Sequence, residues 1–297
     1  WGKHVQSRNA VALLTYRPDE AQLAFYGEIA RAGADAFVVI DDNAFAWKGG
    51  HAVTPIQVDD DICAEAGFRN LNPVVTERTG RPASAWEKAL YHFARVDTRY
   101  DNVWLIEDDV FISTPDALAR MDRKYPAAHI VSAANEINST GETPPWSWYL
   151  FVPEDRVPLP WAHSMVCAVR LSRDILRLVD DFLAGHATFE PDVIFPTNVV
   201  SRFARKAQYL SARLTPGQAV GGLPKCFFIE YLFHTIALRH DLSVAIAPEL
   251  AGVVWQKHWT FDEIEPGGLY HPVKDLRFQE ELHQKLALHS GQSTVAA

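Results

Sequence analysis

The sequence has no apolar run long enough to cross a bilayer. Runs such as Val11–Thr15 and Phe37–Ile40 fall far short of the roughly 18 to 20 residues that a membrane helix needs. No leading signal-peptide pattern is present either, so a soluble, cytoplasmic protein is expected. Cysteine is scarce: Cys63, Cys167 and Cys226 form an odd, widely spaced set. That excludes a disulfide framework and a Cys-x-x-Cys zinc site, and we read all three as reduced, buried small hydrophobes. Basic residues are outnumbered 28 to 37 by acidic ones, for a net charge of −9. Broad, sequence-independent nucleic-acid binding is therefore disfavoured, and any polyanionic ligand must meet a local cation. Internal repeats are lacking, and so is low complexity outside the Ser/Ala tail. The segment Leu14-Thr15-Tyr16-Arg17-Pro18 is not the Gly-rich, basic phosphate loop expected of a nucleotidyltransferase.

What is present is enough apolar side chain, 48% of 297 residues, to bury a sizeable core. Val11–Thr15 reads as a strand, Ala21–Ala32 as a helix and Phe37–Ile40 as a second strand that stops at Asp41-Asp42-Asn43. This is a βαβ unit, whose parallel strands read as continuous apolar runs. Ligands of such sheets settle beyond the carboxyl ends of the strands, the rim that Thr15, Tyr16, Asp41 and Asp42 would share. Further helices are expected over Ala83–Arg95, Ala117–Lys124, Arg173–Leu183 and Ile229–Arg239. Strands are expected over Val103–Ile106, Val110–Ile112, Ser164–Arg170 and Leu242–Ala247. The Pro- and Trp-rich stretch Asn138–Pro160 reads as a long surface loop over a substrate.

The most informative segment is Val103-Trp104-Leu105-Ile106-Glu107-Asp108-Asp109-Val110-Phe111-Ile112. Three consecutive carboxylates between apolar runs repel one another, and a half-buried strand end tolerates them only with a compensating cation. Oxygen ligands of this kind suit Mn²⁺ or Mg²⁺, which share their coordination with substrate phosphates. The competing reading is an exposed acidic turn.

This run resembles the Asp-x-Asp motif of GT-A glycosyltransferases, with Glu107 standing where the motif has its first Asp. The resemblance is carried by the order of short motifs from Val11 to Lys274. It implies an α/β fold with a mostly parallel, Rossmann-like sheet flanked by helices and a mixed C-terminal acceptor-side part. It implies Glu107 and Asp109 as metal ligands, with Asp108 near the donor ribose or sugar. Thr15, Tyr16, Asp41 and Asp42 would contact the nucleotide. Trp86 and Lys88, on the helix before the acidic motif, are donor-pocket candidates, and Trp86 reads equally well as core. In Leu269-Tyr270-His271-Pro272-Val273-Lys274, His271 looks like the metal-closing histidine and Lys274 the diphosphate cation, with Gly267–Gly268 as a hinge; His258 is a weaker ligand candidate. Trp161 and His163 would line an acceptor pocket. For the base that takes the acceptor proton we favour Glu230, at the start of an apolar helix, over Asp192.

The expected activity is transfer of a hexosyl or pentosyl group, with inversion, from a nucleotide-diphosphate sugar to a glycan or glycolipid hydroxyl. A UDP-sugar stands first among donors, and bacterial surface polysaccharide synthesis is the expected setting. The alternatives are a sugar-phosphate nucleotidyltransferase and a non-catalytic carbohydrate-binding module. We expect one catalytic domain over 1–297, with a donor half (1–113), an acceptor half (114–275) and a tail (276–297). Because the chain begins at Trp1 rather than Met, it reads as an excised segment, with peripheral contact at the inner membrane face supplied by further domains.

Overall fold

The computed structural model describes residues 8–72, 75–76, 79–141, 149, 152–186, 207 and 226–293. Asp192 and residues 142–148, 150 and 151 of the 138–160 stretch lie outside the described residues. In chain order the first elements are β1 (Asn9–Thr15), α1 (Glu20–Arg31), β2 (Asp35–Ile40), β3 (Thr54–Ile56), α2 (Asp60–Glu65) and α3 (Ala85–Tyr91). They continue with β4 (Asn102–Glu107), β5 (Phe111–Ile112), α4 (Ala117–Lys124), β6 (Ile130–Ser132), β7 (Glu136–Asn138) and β8 (Trp161–His163). After β9 (Ala168–Ser172) come α5 (Arg173–Gly185), α6 (Ile229–Arg239), β10 (Val244–Ile246), β11 (Gly252–Val253), β12 (Leu269–His271) and α7 (Leu276–Ser293).

Among the described residues, seven strands form one sheet in the order β10-β6-β9-β4-β1-β2-β3. Every pairing in it is parallel except those of β9, which runs antiparallel to both β4 and β6. The fold is thus an α/β sheet that is mostly parallel, with its mixed part on the C-terminal side. Alternation along the strands divides the core. Ala10, Ala12 and Leu14 of β1, with Val103 and Leu105 of β4, pack into one apolar layer, whereas Val11, Leu13, Trp104 and Ile106 pack into the other. Strands covered on both faces must be apolar throughout, which is why β1, β2 and β4 read as unbroken hydrophobic runs.

The same alternation sets the chemistry at the strand end. Glu107 continues the register of Val103 and Leu105 and faces the layer that holds Trp86; Asp108 faces the opposite side with Thr15. The helices that deliver these side chains are capped as their sequences dictate. In α1 the Asp19 carboxylate accepts from Ala21 N–H while Gln22 reaches back; in α3 Ser84 and Glu87 form the same reciprocal box. Glu87 is buried and also accepts from the N–H groups of Leu71 and Asn72. Burial pushes its carboxyl up, and these hydrogen bonds oppose the shift.

A second sheet, β11-β12-β5, closes the end of the first. Here β12 runs antiparallel to β5 and parallel to β11, bringing the segment after Leu269 back beside the acidic triplet. Of these short strands only β5 is expected from the sequence, and β11 and β12 escape it. So did α7, since residues 276–297 were expected to be a tail. No helix among the described residues is long and apolar enough to cross a membrane. All three cysteines are buried and none forms a disulfide, as expected.

Candidate functional site

Beyond the carboxyl ends of β1, β2 and β4 lies a cleft of about 1130 Å³, which Thr15, Tyr16, Asp41, Trp86, Glu230 and the acidic triplet all line. Its volume suits a ligand larger than a typical drug-sized molecule. Glu107 accepts a hydrogen bond from the Trp86 indole at 2.7 Å, so Trp86 is at once core and cleft wall. Burial raises the Glu107 carboxyl, and the charge of Asp109 adds to this. Asp108 accepts from the Thr15 hydroxyl at 2.6 Å; burial raises its carboxyl too, and the Thr15 bond opposes the shift. Gln22 of α1 and Gln279 of α7 both donate to the Asp108 carbonyl, clamping this corner between two helices.

Asp109 meets the closing segment. Its carbonyl accepts from Val273 N–H at 2.7 Å, and its Oδ1 lies 3.4 Å from His271 Nε2. That oxygen is buried and has no hydrogen-bond partner. The other ring nitrogen, His271 Nδ1, lies 2.7 Å from the Val254 carbonyl and so carries the proton. This fixes the tautomer and aims the Nε2 lone pair at the carboxylates, the arrangement by which metal-binding histidines are oriented. Burial lowers the imidazole's pKa, but the neighbouring Asp109 outweighs it and the net shift is upward. A carboxylate oxygen of Glu107, Cys167 Sγ and a His271 ring nitrogen lie within 4.8 Å of one another. The exposed Lys274 ammonium stands 3.9 Å from Asp109 Oδ2, at the mouth of the same corner. These donors fit a divalent cation: unpaired oxygen, an oriented imidazole and acidic groups that mutual repulsion otherwise disfavours.

β12 positions His271, and Gly252 permits β12 to approach. A Cβ built at Gly252 would come within 2.5 Å of the Leu269 carbonyl oxygen and 2.6 Å of the Tyr270 ring. Gly252→Ala is expected to cost about 1–3 kcal/mol by forcing β12 outward. Because the displacement carries His271 with it, metal affinity should fall together with the urea midpoint.

Several expected residues fall elsewhere. Asp42 does not line the cleft: it accepts from Ala44 N–H and from Arg17, and both bonds hold its carboxyl low. Lys88 lies behind the cleft wall, fully buried, donating to the Asp41 carbonyl at 2.6 Å, to Asn43 Oδ1 at 2.6 Å and pairing with Asp60 at 2.9 Å. Arg81 spans the same pair of acids, with two bonds to the Asp60 carboxylate, one to the Asp41 carboxylate and one to the Asp41 carbonyl. Neither Asp60 nor Arg81 was singled out in the sequence, since no local pattern marks them. Tyr16 is half exposed at the rim with the Arg17 guanidinium over its ring. His258 lines the cleft from an exposed position. His163 bonds Tyr149 and Trp161 is buried; neither lines the cleft. Gly267 adopts φ +93°, yet its N–H donates to Ser113, tying the segment down at this point. The exposed Trp255, unremarked in the sequence, stands on the cleft's outer lip.

No family model matches the chain, and no curated protein sequence matches it. Solved structures similar to it include an active-site mutant of LgtC, at 10% identity and a TM-score of 0.33 over 70% of each chain. Another is mouse xyloside xylosyltransferase 1 in its apo form, at 12% identity and a TM-score of 0.33, covering 81% of this chain and 85% of that one. A likeness this distant carries no functional inference.

Proposed function

We infer that the chain is a divalent-metal-dependent glycosyltransferase that takes a nucleotide-diphosphate sugar, a UDP-sugar first among them, and passes the sugar to a glycan or glycolipid hydroxyl. One observation carries this reading: a buried, unpartnered carboxylate oxygen of Asp109 faces the Nε2 of a histidine whose other nitrogen is locked to a carbonyl, at the carboxyl end of a parallel sheet. An ion held there by Asp109, His271 and Glu107, either Mn²⁺ or Mg²⁺, would supply charge stabilisation to a departing diphosphate. Lys274 adds a mobile positive charge beside it. Thr15, Tyr16 and Asp41 line the part of the cleft where base and ribose would lie, and Asp108, which lines the same cleft, would meet the donor's sugar end. A carbohydrate-binding module would not need this acidic corner.

Glu230 supplies the remaining group. It opens α6, a helix that is buried over most of its length, and it lines the cleft close to Cys167. A helix N-terminus favours its ionised form. As general base it takes the acceptor hydroxyl proton while that oxygen attacks the anomeric carbon, giving inversion. Asp192, the other candidate base, lies outside the described residues. Glu230→Gln is expected to lower turnover about 100- to 10,000-fold. Mn²⁺ and nucleoside diphosphate affinities, read by calorimetry, should stay unchanged. Equal losses of affinity and turnover would make Glu230 a positioning residue. The reaction itself is tested by incubating the protein with Mn²⁺ and a panel of nucleotide sugars and following nucleoside diphosphate release. Release of pyrophosphate from a nucleoside triphosphate and a sugar phosphate would point to a nucleotidyltransferase instead.

A further inference from the structure

The metal corner contains one donor that the proposed reaction does not use. Cys167 sits immediately before β9, directly across from the end of β4, where Glu107 N–H donates to its carbonyl at 2.8 Å. Its thiol is buried beside the Glu107 carboxylate and donates to Met165 Sδ at 3.5 Å. The sulfur, a Glu107 carboxylate oxygen and a His271 ring nitrogen form a triangle no more than 4.8 Å on a side. Tetrahedral zinc, with ligands at about 2.0–2.3 Å, holds its donor atoms roughly 3.5 Å apart. Closing the triangle needs an inward movement of about 1 Å, within reach of side-chain rotation by the glutamate. The donors come from the end of β4, the residue just before β9 and the end of β12, all next to or within sheet strands.

We propose that Glu107, Cys167 and His271 form a sulfur-bearing site that captures thiophilic divalent ions, Zn²⁺ or Cd²⁺, in competition with the hard ion of the transferase reaction. This rests on reading the corner as a metal site. Thiolate and imidazole select such ions, whereas carboxylates alone suit Mn²⁺ and Mg²⁺. On capture the Cys167 S–H bond breaks, its proton passes to solvent, and the sulfur lone pair forms the bond to the ion, with no change in oxidation state. The thiol contact to Met165 Sδ is lost, and Glu107 and His271 are both occupied, so a hard ion that needs them is displaced.

The test is a Cd²⁺ titration of the Mn²⁺-loaded protein, read by the ultraviolet thiolate-to-Cd²⁺ charge-transfer band and by the reappearance of free Mn²⁺ in the electron paramagnetic resonance spectrum. The wild type should develop the band to saturation at one equivalent while releasing Mn²⁺. Cys167→Ser should lose the band and weaken Cd²⁺ binding about tenfold or more, with Mn²⁺ affinity changed less than about threefold. A Cys63→Ser/Cys226→Ser variant, in which Cys167 is the remaining cysteine, should keep the band, and it decides the matter if Cys167→Ser does not fold. Mn²⁺ binding without any band, or a band that survives Cys167→Ser, overturns the thiol site and leaves the transferase reading standing. Failure of both ions to bind overturns both.

Discussion

Asp109→Asn is expected to abolish Mn²⁺ binding in the micromolar range and to lower sugar transfer about 100- to 1000-fold. The expectation follows from what the side chain does and does not touch. Its Oδ1 is buried with no hydrogen-bond partner, and the contact that anchors this position, Val273 N–H at 2.7 Å, goes to the backbone carbonyl. Asn keeps that contact and removes a charge that destabilises Glu107. The metal-free variant should therefore be as stable as wild type or more so in urea, the usual trade between function and stability at a charged site. Loss of metal affinity with retained or increased stability separates a ligand from a structural acid. A variant that unfolds more easily yet binds Mn²⁺ normally would mean that Asp109 works through its neighbours in the fold.

The second large effect is on stability. Lys88→Met is expected to cost about 3–5 kcal/mol in urea unfolding, because it leaves Asp41 and Asp60 buried beside Arg81 alone. Its sign with pH can be worked out. In the wild type Asp60 is held low: burial works to raise it, and the bonds to Arg81 and Lys88 outweigh that. That contribution is present above the usual carboxylate range and is lost as pH falls through the folded-state pKa. Asp41 behaves oppositely, since burial raises it despite Arg81 and Lys88, and protonation relieves it. Removing the ammonium raises both, so the variant recovers on acidification while the wild type loses ground. The stability gap should narrow as pH falls below about 5. Nucleotide affinity per folded molecule should be close to wild type, because Lys88 Nζ is sealed behind the cleft wall. A stable variant with lost donor affinity would place Lys88 in the donor pocket after all.

The Lys88 case shows where the sequence was legible. Strands β1, β2 and β4 stood out because burial on both faces demands unbroken apolar runs, and the spans of α4 and α6 were readable to the residue from periodicity. The acidic end of β4 was also visible, because carboxylates after an apolar strand need a partner, whereas His271, which lies 3.4 Å from Asp109 Oδ1, was singled out only through the resemblance. Three-residue strands such as β6 and β12 were not, since too few positions exist for a period to show. Helix α7 was missed behind a sequence rich in polar residues. Contacts set by strand register were invisible too. Cys167 looked like an inert small hydrophobe, and only the antiparallel pairing of β9 with β4 brings its sulfur within 4.8 Å of a Glu107 carboxylate oxygen. Asp41 and Asp42 are adjacent in sequence, yet one lines the cleft and the other braces a turn. Nothing local separates them before the turn is built.

The central claim, that an ion between Asp109 and His271 grips a diphosphate, is tested most directly by calorimetric titration of nucleoside diphosphates, UDP first, into the protein with Mn²⁺ and again with chelator. The account predicts binding that depends on the ion, with Mn²⁺ tightened by the nucleotide to the same degree, as linkage requires. Equal nucleotide affinity in chelator, or no nucleoside diphosphate binding with Mn²⁺ present, would contradict it.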